Sequence, residues 1–232
     1  MRGRGQPTTV RQYVLGNLRT KILQGRYPAG SRLRQEDIAR QLDVSTTPVR
    51  EAFRDLLAEG LISLDERRGA VVRGLTLNDV QEIYQMRLRL EPLLAERTFD
   101  AITDDGLDRA EACHRKMCGK VSAQNWATLN EEFHAALTGN ASGSRLGSIV
   151  YNLAHAASPY VVLSLFAKPE IRDMNNRDHA DLLALYRSRD RGGIVAKTER
   201  HLAQTLLSIE HEAEQKTANG HDDGLLTTAF MR

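Results

Sequence analysis

Histidines are the residues of this sequence whose chemistry could serve a metal site. The seven of them are His114, His134, His155, His179, His201, His211 and His221. Asn130 and His134 are four residues apart, so on a helix their side chains project from one face. His179 and His201 fall in two later stretches of helical pattern. These spacings form no local metal-binding motif, so the residues alone leave a metal site open beside an ordinary role at the surface or in the core.

A second group of chemically active side chains opens a predicted helix at 45–50, Ser-Thr-Thr-Pro-Val-Arg. Short hydroxyl side chains can bond phosphates or bases without steric cost, and a helix N-terminus offers backbone N–H groups to phosphate. Arg50, one turn into the helix, has the planar fork that suits a phosphate or a guanine. Arg67 and Arg68 fall at the tip of a predicted hairpin. The pattern predicts a DNA-binding surface, although capped helices with surface arginines are common elsewhere.

The elements that must position this surface are three helices and a hairpin. The first helix is predicted to start near Thr9 and to end at Gly25, and Gly60 is predicted to end the third. Short strands are predicted at 61–64 and 70–73, with a turn between them. This order predicts a winged helix. Its predicted core is Val10, Val14, Leu18, Ile22, Ile38, Ala39, Leu42, Val49, Ala52, Phe53, Leu56 and Leu57.

The rest of the chain has only helical periodicity, with no strand signal and no internal repeat. A long helix is predicted to follow a cap at Thr76, and further helices are predicted at about 104–118, 123–138, 145–165, 177–188 and 193–215. We therefore expect a mainly α protein in two domains, a winged helix over 9–74 and an all-α helical bundle over 75–215. Residues 1–8 are expected to be flexible, and 216–232 to form a polar tail whose Leu225, Leu226 and Phe230 could dock on a partner.

Composition limits the class of protein. The net charge is only +2, but basic residues outnumber acidic ones in 1–74 and the reverse holds afterwards, which favours nucleic acid as a partner of the first part. No signal peptide and no run of about 18 uncharged apolar residues is evident, so we expect a cytoplasmic protein without a membrane span. Cys113 and Cys118 are expected to be reduced thiols packed as small apolar residues.

The N-terminal sequence resembles the DNA-binding domain of the GntR family over about residues 9–73. The resemblance is carried by 43–53 (DVSTTPVREAF), 59–62 (EGLI) and 68–72 (RGAVV). The family usually has arginine where Thr46 stands, and many members have one where Glu36 stands, so Arg34 is expected to substitute for the latter. The expected DNA-binding residues are Arg34, Ser45, Thr46, Thr47, Arg50, Arg67, Arg68 and Gly69.

The later sequence resembles the FCD effector domain of the FadR-type branch over about residues 76–213. The matching segments are 130–134 (NEEFH), 178–182 (DHADL) and 199–202 (ERHL). In many such domains one Asp or Asn and three histidines hold a divalent metal, which implies Asn130, His134, His179 and His201 here, with zinc or nickel as the ion. The resemblance also implies that Arg87 faces the pocket and pairs with the carboxylate of a small organic acid.

These resemblances imply a homodimer that binds a palindromic operator and acts as a repressor controlled by an effector. One alternative is a metal-dependent enzyme fused to a nucleic-acid module, in which Glu131 or Glu132 would act as acid or base. A second is an architectural protein that binds DNA without sequence preference. No acid or base motif with the needed spacing supports the first, and the second leaves the large helical domain without a purpose.

Overall fold

The computed structural model describes residues 9–139, 141–168 and 170–218. The predictions for residues 1–8 and for Leu225, Leu226 and Phe230 lie outside these described residues. The chain forms two compact units, one ending at Gly74 and the other starting at Leu75. The expected class is confirmed, since helices dominate and the only strands of the described residues lie in the N-terminal unit.

The N-terminal unit is a winged helix. It consists of α1 (Val10–Leu23), β1 (Arg32–Leu33), α2 (Gln35–Leu42), α3 (Thr46–Ala58), β2 (Ile62–Asp65) and β3 (Gly69–Val72). Strand β3 lies between β1 and β2 and is antiparallel to both, with Ile62 opposite Val72 and Arg32 opposite Val71. The predicted hairpin is therefore present, and β1, which is too short to have a sequence signal, extends it to three strands.

Helix ends in this unit follow local chemistry. Thr9 caps α1 by accepting the backbone N–H of Gln12, whose side chain bonds back to Thr9. Gly25 and Gly60 have φ values of 64° and 69°, the left-handed conformation that glycine adopts without steric cost. Ser45 occupies the N-cap of α3, but its side chain makes no capping hydrogen bond.

The predicted core of the N-terminal unit is largely confirmed. Val14, Leu18, Val49 and Leu56 are completely buried. Val10, in the first turn of α1, is an exception with 54% exposure. Leu42 and Leu57 are only half-buried.

The second unit is entirely helical in its described part. Its helices are α4 (Leu77–Thr98), α5 (Asp104–Met117), α6 (Ala123–Leu137), α7 (Arg145–Ala167), α8 (Glu170–Arg187) and α9 (Arg191–Ala218), with short 3-10 turns at Phe99–Ala101 and Ala141–Gly143. Thr76, Thr103, Ser122 and Ser144 cap four of the helices. The predicted start of α8 was wrong by seven residues, since the polar stretch before 177 is already helical, and α9 continues into the predicted tail.

Helix α7 bears on the expectation that the chain has no membrane span. Arg145–Phe166 is long and apolar enough to cross a membrane by length and composition. The polar residues inside this stretch, such as Asn152 and Ser158, are uncharged. More than half of that stretch, 56%, is buried inside the structure, as in the core helix of a globular domain. The cysteine expectation was wrong in part: both thiols are free, but Cys118 is exposed at the end of α5 and does not pack in the core.

Candidate functional site

Three imidazoles from three helices meet in the second unit. His134 lies on α6, His179 on α8 and His201 on α9, and each offers a ring nitrogen within 4.8 Å of those of the other two. Their ring centroids are 5.0–5.5 Å apart. We call these residues the three-imidazole cluster. They are three of the four side chains that the resemblance implied for a metal.

The environment of His179 suits a cation. The residue has 0% exposure, and neither ring nitrogen has a hydrogen-bond partner among the described residues. The Trp126 ring stacks on its ring at 5.8 Å and the Phe133 ring lies at 4.5 Å, so the surroundings are aromatic. The side-chain oxygen of Asn130, the fourth implied ligand, is also buried and unpartnered. Unsatisfied buried nitrogen and oxygen atoms are costly unless something binds them, and a divalent ion fits this donor set.

Burial keeps His134 and His179 uncharged. Loss of hydration, reinforced by repulsion from the neighbouring cations that would form, lowers the pKa of His134 and of His179 well below the ordinary histidine value. At neutral pH both rings are therefore neutral imidazoles with a lone pair available. That is the protonation state that a metal ligand requires.

His201 differs from His179 because the protein holds its ring. Its Nδ1 lies 3.1 Å from Oδ2 of Asp178, whose other oxygen accepts a hydrogen bond from Lys197 at 2.6 Å. Burial alone would raise the pKa of Asp178, but the hydrogen bonds from His201 and Lys197 outweigh it and the pKa lies below its ordinary value. Lys197 also donates to Asp181 at 2.7 Å.

A cavity of about 200 Å³ adjoins the cluster. Asn130, His134 and Arg87 line it, together with apolar side chains of α4, α6, α7 and α8. Arg87 has 6% exposure, and its Nε donates to Glu91 at 2.6 Å. Burial would lower the pKa of Arg87, but the charge of Glu91 outweighs this and raises it. The guanidinium therefore stays charged.

The rim of the cavity is polar and aromatic. Glu131 lines it and accepts a hydrogen bond from Nδ1 of His155 at 2.9 Å. The ring of Tyr151 stacks on the ring of His155 at 5.7 Å. Glu132, the other acid nominated for an enzymatic role, is exposed and contacts Cys113 on α5. Neither glutamate is therefore arranged as an isolated acid or base beside the cluster.

In the N-terminal unit the start of α3 is open to solvent. Ser45, Thr46, Thr47 and Arg50 are all exposed there. Arg50 has no ion-pair partner within the described part of the chain. Arg54 is exposed four residues further along the same face; it was not among the predicted DNA-binding residues, although that spacing could have identified it.

The wing tip, the turn at 65–69 between β2 and β3, is organised by one carboxylate. Asp65 accepts the backbone N–H groups of Arg67 and Arg68 at 2.9 and 2.7 Å. These hydrogen bonds lower the pKa of Asp65. Arg67, Arg68 and Gly69 are exposed, and Gly69 has a φ of 76°. Arg34 is exposed as well, at the N-cap of α2.

Comparisons with known proteins match each of the two units to a different family model. Residues 11–72 match the model for bacterial regulatory proteins of the gntR family. Residues 82–204, more than half of the chain, match the model for the FCD domain. The fold is also similar to that of E. coli McbR/YncC, with a TM-score of 0.67 and 21% identity over 88% of this chain and 99% of that one.

Two curated relatives are named as regulators. The gluconate operon transcriptional repressor of Bacillus licheniformis is 32% identical over 160 residues, 67% of this chain and 65% of that protein. The uncharacterized HTH-type transcriptional regulator YdhC of Bacillus subtilis (strain 168) is 30% identical over 136 residues, 57% of this chain and 61% of that protein. Both alignments thus span slightly less than two thirds of the relative's length. The chain belongs to the gntR family of bacterial regulatory proteins, and its helical unit is an FCD domain.

Proposed function

We propose that this protein is a cytoplasmic transcription repressor whose operator affinity is controlled by a small carboxylate bound in the helical unit. The observation that carries the effector part is the three-imidazole cluster, with its unpartnered His179 nitrogens, beside a cavity that contains Arg87. The names of the matched relatives, which are transcription regulators and not enzymes, support the regulatory part.

The DNA-binding part of the proposal rests on α3 and the wing. A helix of this kind fits the major groove with its N-terminal residues against base edges, and a wing contacts an adjacent groove or backbone. The exposed hydroxyls of Thr46 and Thr47 and the guanidinium of Arg50 supply the donors. Arg34, Ser45, Arg67, Arg68 and Gly69 complete the proposed contacts. A homodimer would present two such surfaces to a palindromic operator.

Asn130, His134, His179 and His201 would together hold a divalent metal ion, with zinc or nickel favoured by three imidazoles. When bound, the ion supplies positive charge that attracts an effector carboxylate. Arg87 adds a guanidinium on the α4 side of the cavity, and the apolar lining excludes water from the rest. The cavity volume of about 200 Å³ suits a small acid rather than a polymer.

Control of transcription needs only a modest energy difference between two states. A thousandfold loss of operator affinity corresponds to about 4 kcal/mol of differential effector binding. One small acid that contacts a metal and an arginine in only one state can supply this amount. The predicted consequence is release of DNA when the acid is present.

The DNA part is tested by selecting bound sequences from a random duplex library and measuring their affinity by fluorescence anisotropy. We expect a palindromic sequence to emerge and Arg50→Ala to weaken its binding by about 1–3 kcal/mol, roughly 5- to 150-fold. Arg115→Ala, which removes an exposed arginine from α5 in the other unit, is the matched control and is expected to have no effect. Equal affinity for all duplexes would instead support an architectural binder.

The effector part is tested by thermal shift against small carboxylic acids, including sugar acids such as gluconate, with and without a chelator. A few related acids are expected to raise the melting temperature by several degrees, because ligands that bind the native state stabilise it. Chelation is expected to abolish that rise. If no acid acts and chelation leaves the melting temperature unchanged, the metal and effector proposals are both wrong. Turnover of an acid by the purified protein would favour the enzyme alternative.

A further inference from the structure

A network of charged side chains on α8 and α9 contacts His201, one of the three cluster histidines, through its Nδ1. Asp178, with 7% exposure, accepts from Nδ1 of His201 with one oxygen and from Nζ of Lys197 with the other, at 3.1 and 2.6 Å. Lys197 lies one helical turn before His201 on α9 and reaches Asp181 as well, at 2.7 Å. Neither Asp178 nor Lys197 is among the four metal ligands that the resemblance implied.

The direction of the hydrogen bond fixes the tautomer of His201. A carboxylate oxygen can only accept, so Nδ1 of His201 must carry the hydrogen. In a neutral imidazole the lone pair then belongs to Nε2, which is the one nitrogen of this ring left to coordinate an ion. The two nitrogens of His179 have no hydrogen-bond partner among the described residues, so no such contact fixes the tautomer of that ring.

Lys197 fixes the position of the Asp178 carboxylate, which in turn orients His201. Its ammonium bridges Asp178 and Asp181, which are three residues apart and therefore on one face of α8. The side chains of Lys197 and Asp178 are only 12% and 10% exposed, so their ion pair is shielded from competing water, whereas Asp181 is 64% exposed. Without this bridge Asp178 would lose one of its two partners and could rotate away from His201.

We propose that Asp178 and Lys197 are positioning residues that keep His201 in the Nδ1–H tautomer with Nε2 available to the three-imidazole cluster, and so raise its affinity for a divalent metal. The inference rests on the proposed metal site. Partners that orient a ligating histidine typically contribute 10- to 100-fold to metal affinity. Asp178 acts directly on His201, whereas Lys197 acts through Asp178, so its contribution is the smaller of the two.

The first test measures Ni²⁺ and Zn²⁺ affinity by competition with a chromophoric chelator. Asp178→Asn is expected to lower affinity by about 10- to 100-fold, because the amide can donate to Nδ1 and thereby favour the wrong tautomer. Lys197→Met is expected to cause a smaller loss. Asp173→Asn is the matched control: it removes an exposed carboxylate from the same helix, lies outside the network of Asp178, Lys197 and Asp181, and should bind metal as the wild type does. Unchanged affinity in Asp178→Asn would overturn the proposal.

The second test separates this inference from the metal proposal. Long-range ¹H–¹⁵N correlation spectra of the metal-free wild type report the His201 tautomer directly, and we expect hydrogen on Nδ1. A wild type with hydrogen on Nε2 would refute the positioning role, whether or not metal binds. If the tautomer is as expected but neither ion binds, the metal site is wrong and the positioning of His201 stands without its proposed consequence. This spectrum needs no variant to fold.

Discussion

Replacing His179 by leucine should stabilise the metal-free protein. Both nitrogens of the buried His179 ring lack partners, and an unsatisfied buried polar group costs about 1–3 kcal/mol. Leucine has a similar volume and no polar atoms. Against this gain stands the loss of two aromatic contacts, to Trp126 and Phe133, each about 0.5–1.5 kcal/mol. With the middle of each range, about 4 kcal/mol for the two nitrogens and about 2 kcal/mol for the two contacts, the balance predicts a rise of about 2 kcal/mol in the free energy of unfolding.

The same substitution should remove the response to metal. An ion present at 100 times its dissociation constant stabilises a protein by about 2.7 kcal/mol, and His179→Leu should gain almost none of this. Urea unfolding, in chelator and with Ni²⁺ or Zn²⁺, measures both effects. His155→Leu is the control: this histidine bonds to Glu131, so its loss should cost about 0.5–1.5 kcal/mol and leave the metal response intact. A His179→Leu protein that is less stable in chelator and still stabilised by metal would refute the reasoning.

The winged-helix unit supports two further predictions. Arg19→Met should cost about 3–5 kcal/mol because it leaves the completely buried Glu59 carboxylate without this partner, whereas Arg11→Met, which breaks a more exposed pair with Asp55, should cost at most about 1 kcal/mol; urea unfolding of both variants checks the difference. Asp65→Ala should loosen the wing tip without unfolding the unit, which faster hydrogen exchange at the wing tip would show. It should also weaken operator binding, measured by fluorescence anisotropy. The pKa of Asp65 is lowered in the folded protein. Its contribution to the stability of the folded wing is therefore present above the ordinary aspartate pKa and is lost as the pH falls through the lower folded value.

Local rules predicted the winged helix well. Apolar periodicity identified α1 and α3, and Gly25 and Gly60 marked helix ends that the structure confirms. What these rules could not predict was set by non-local pairing. Strand β1 has only two residues and exists because Arg32 and Leu33 pair with β3, far along the chain. Similarly, Val10 matches the apolar stripe of α1, yet the fold leaves its side chain 54% exposed.

The candidate site was predictable only through resemblance. His134, His179 and His201 lie on three helices, and helical periodicity says which face a residue is on but not which faces meet. The resemblance identified them as a group, and the structure brings their nitrogens within 4.8 Å. Asp178 and Lys197 went unnoticed because charged residues on amphipathic helices usually face solvent, and only the packing of α8 on α9 makes theirs a buried network.

The position of Arg87 bears on how an acid could bind at all. The resemblance implied that its guanidinium meets the effector, but its charge is already compensated by Glu91. Among the described residues that line the cavity, Arg87 is the one lysine or arginine, whereas two residues, Glu91 and Glu131, carry carboxylates. A carboxylate would therefore enter a site without net positive charge from these residues, unless a divalent ion is bound beside it. Effector and metal should then bind cooperatively, and by linkage each must raise the affinity of the other by the same factor. Metal affinity that does not change when a binding acid is added would contradict this account.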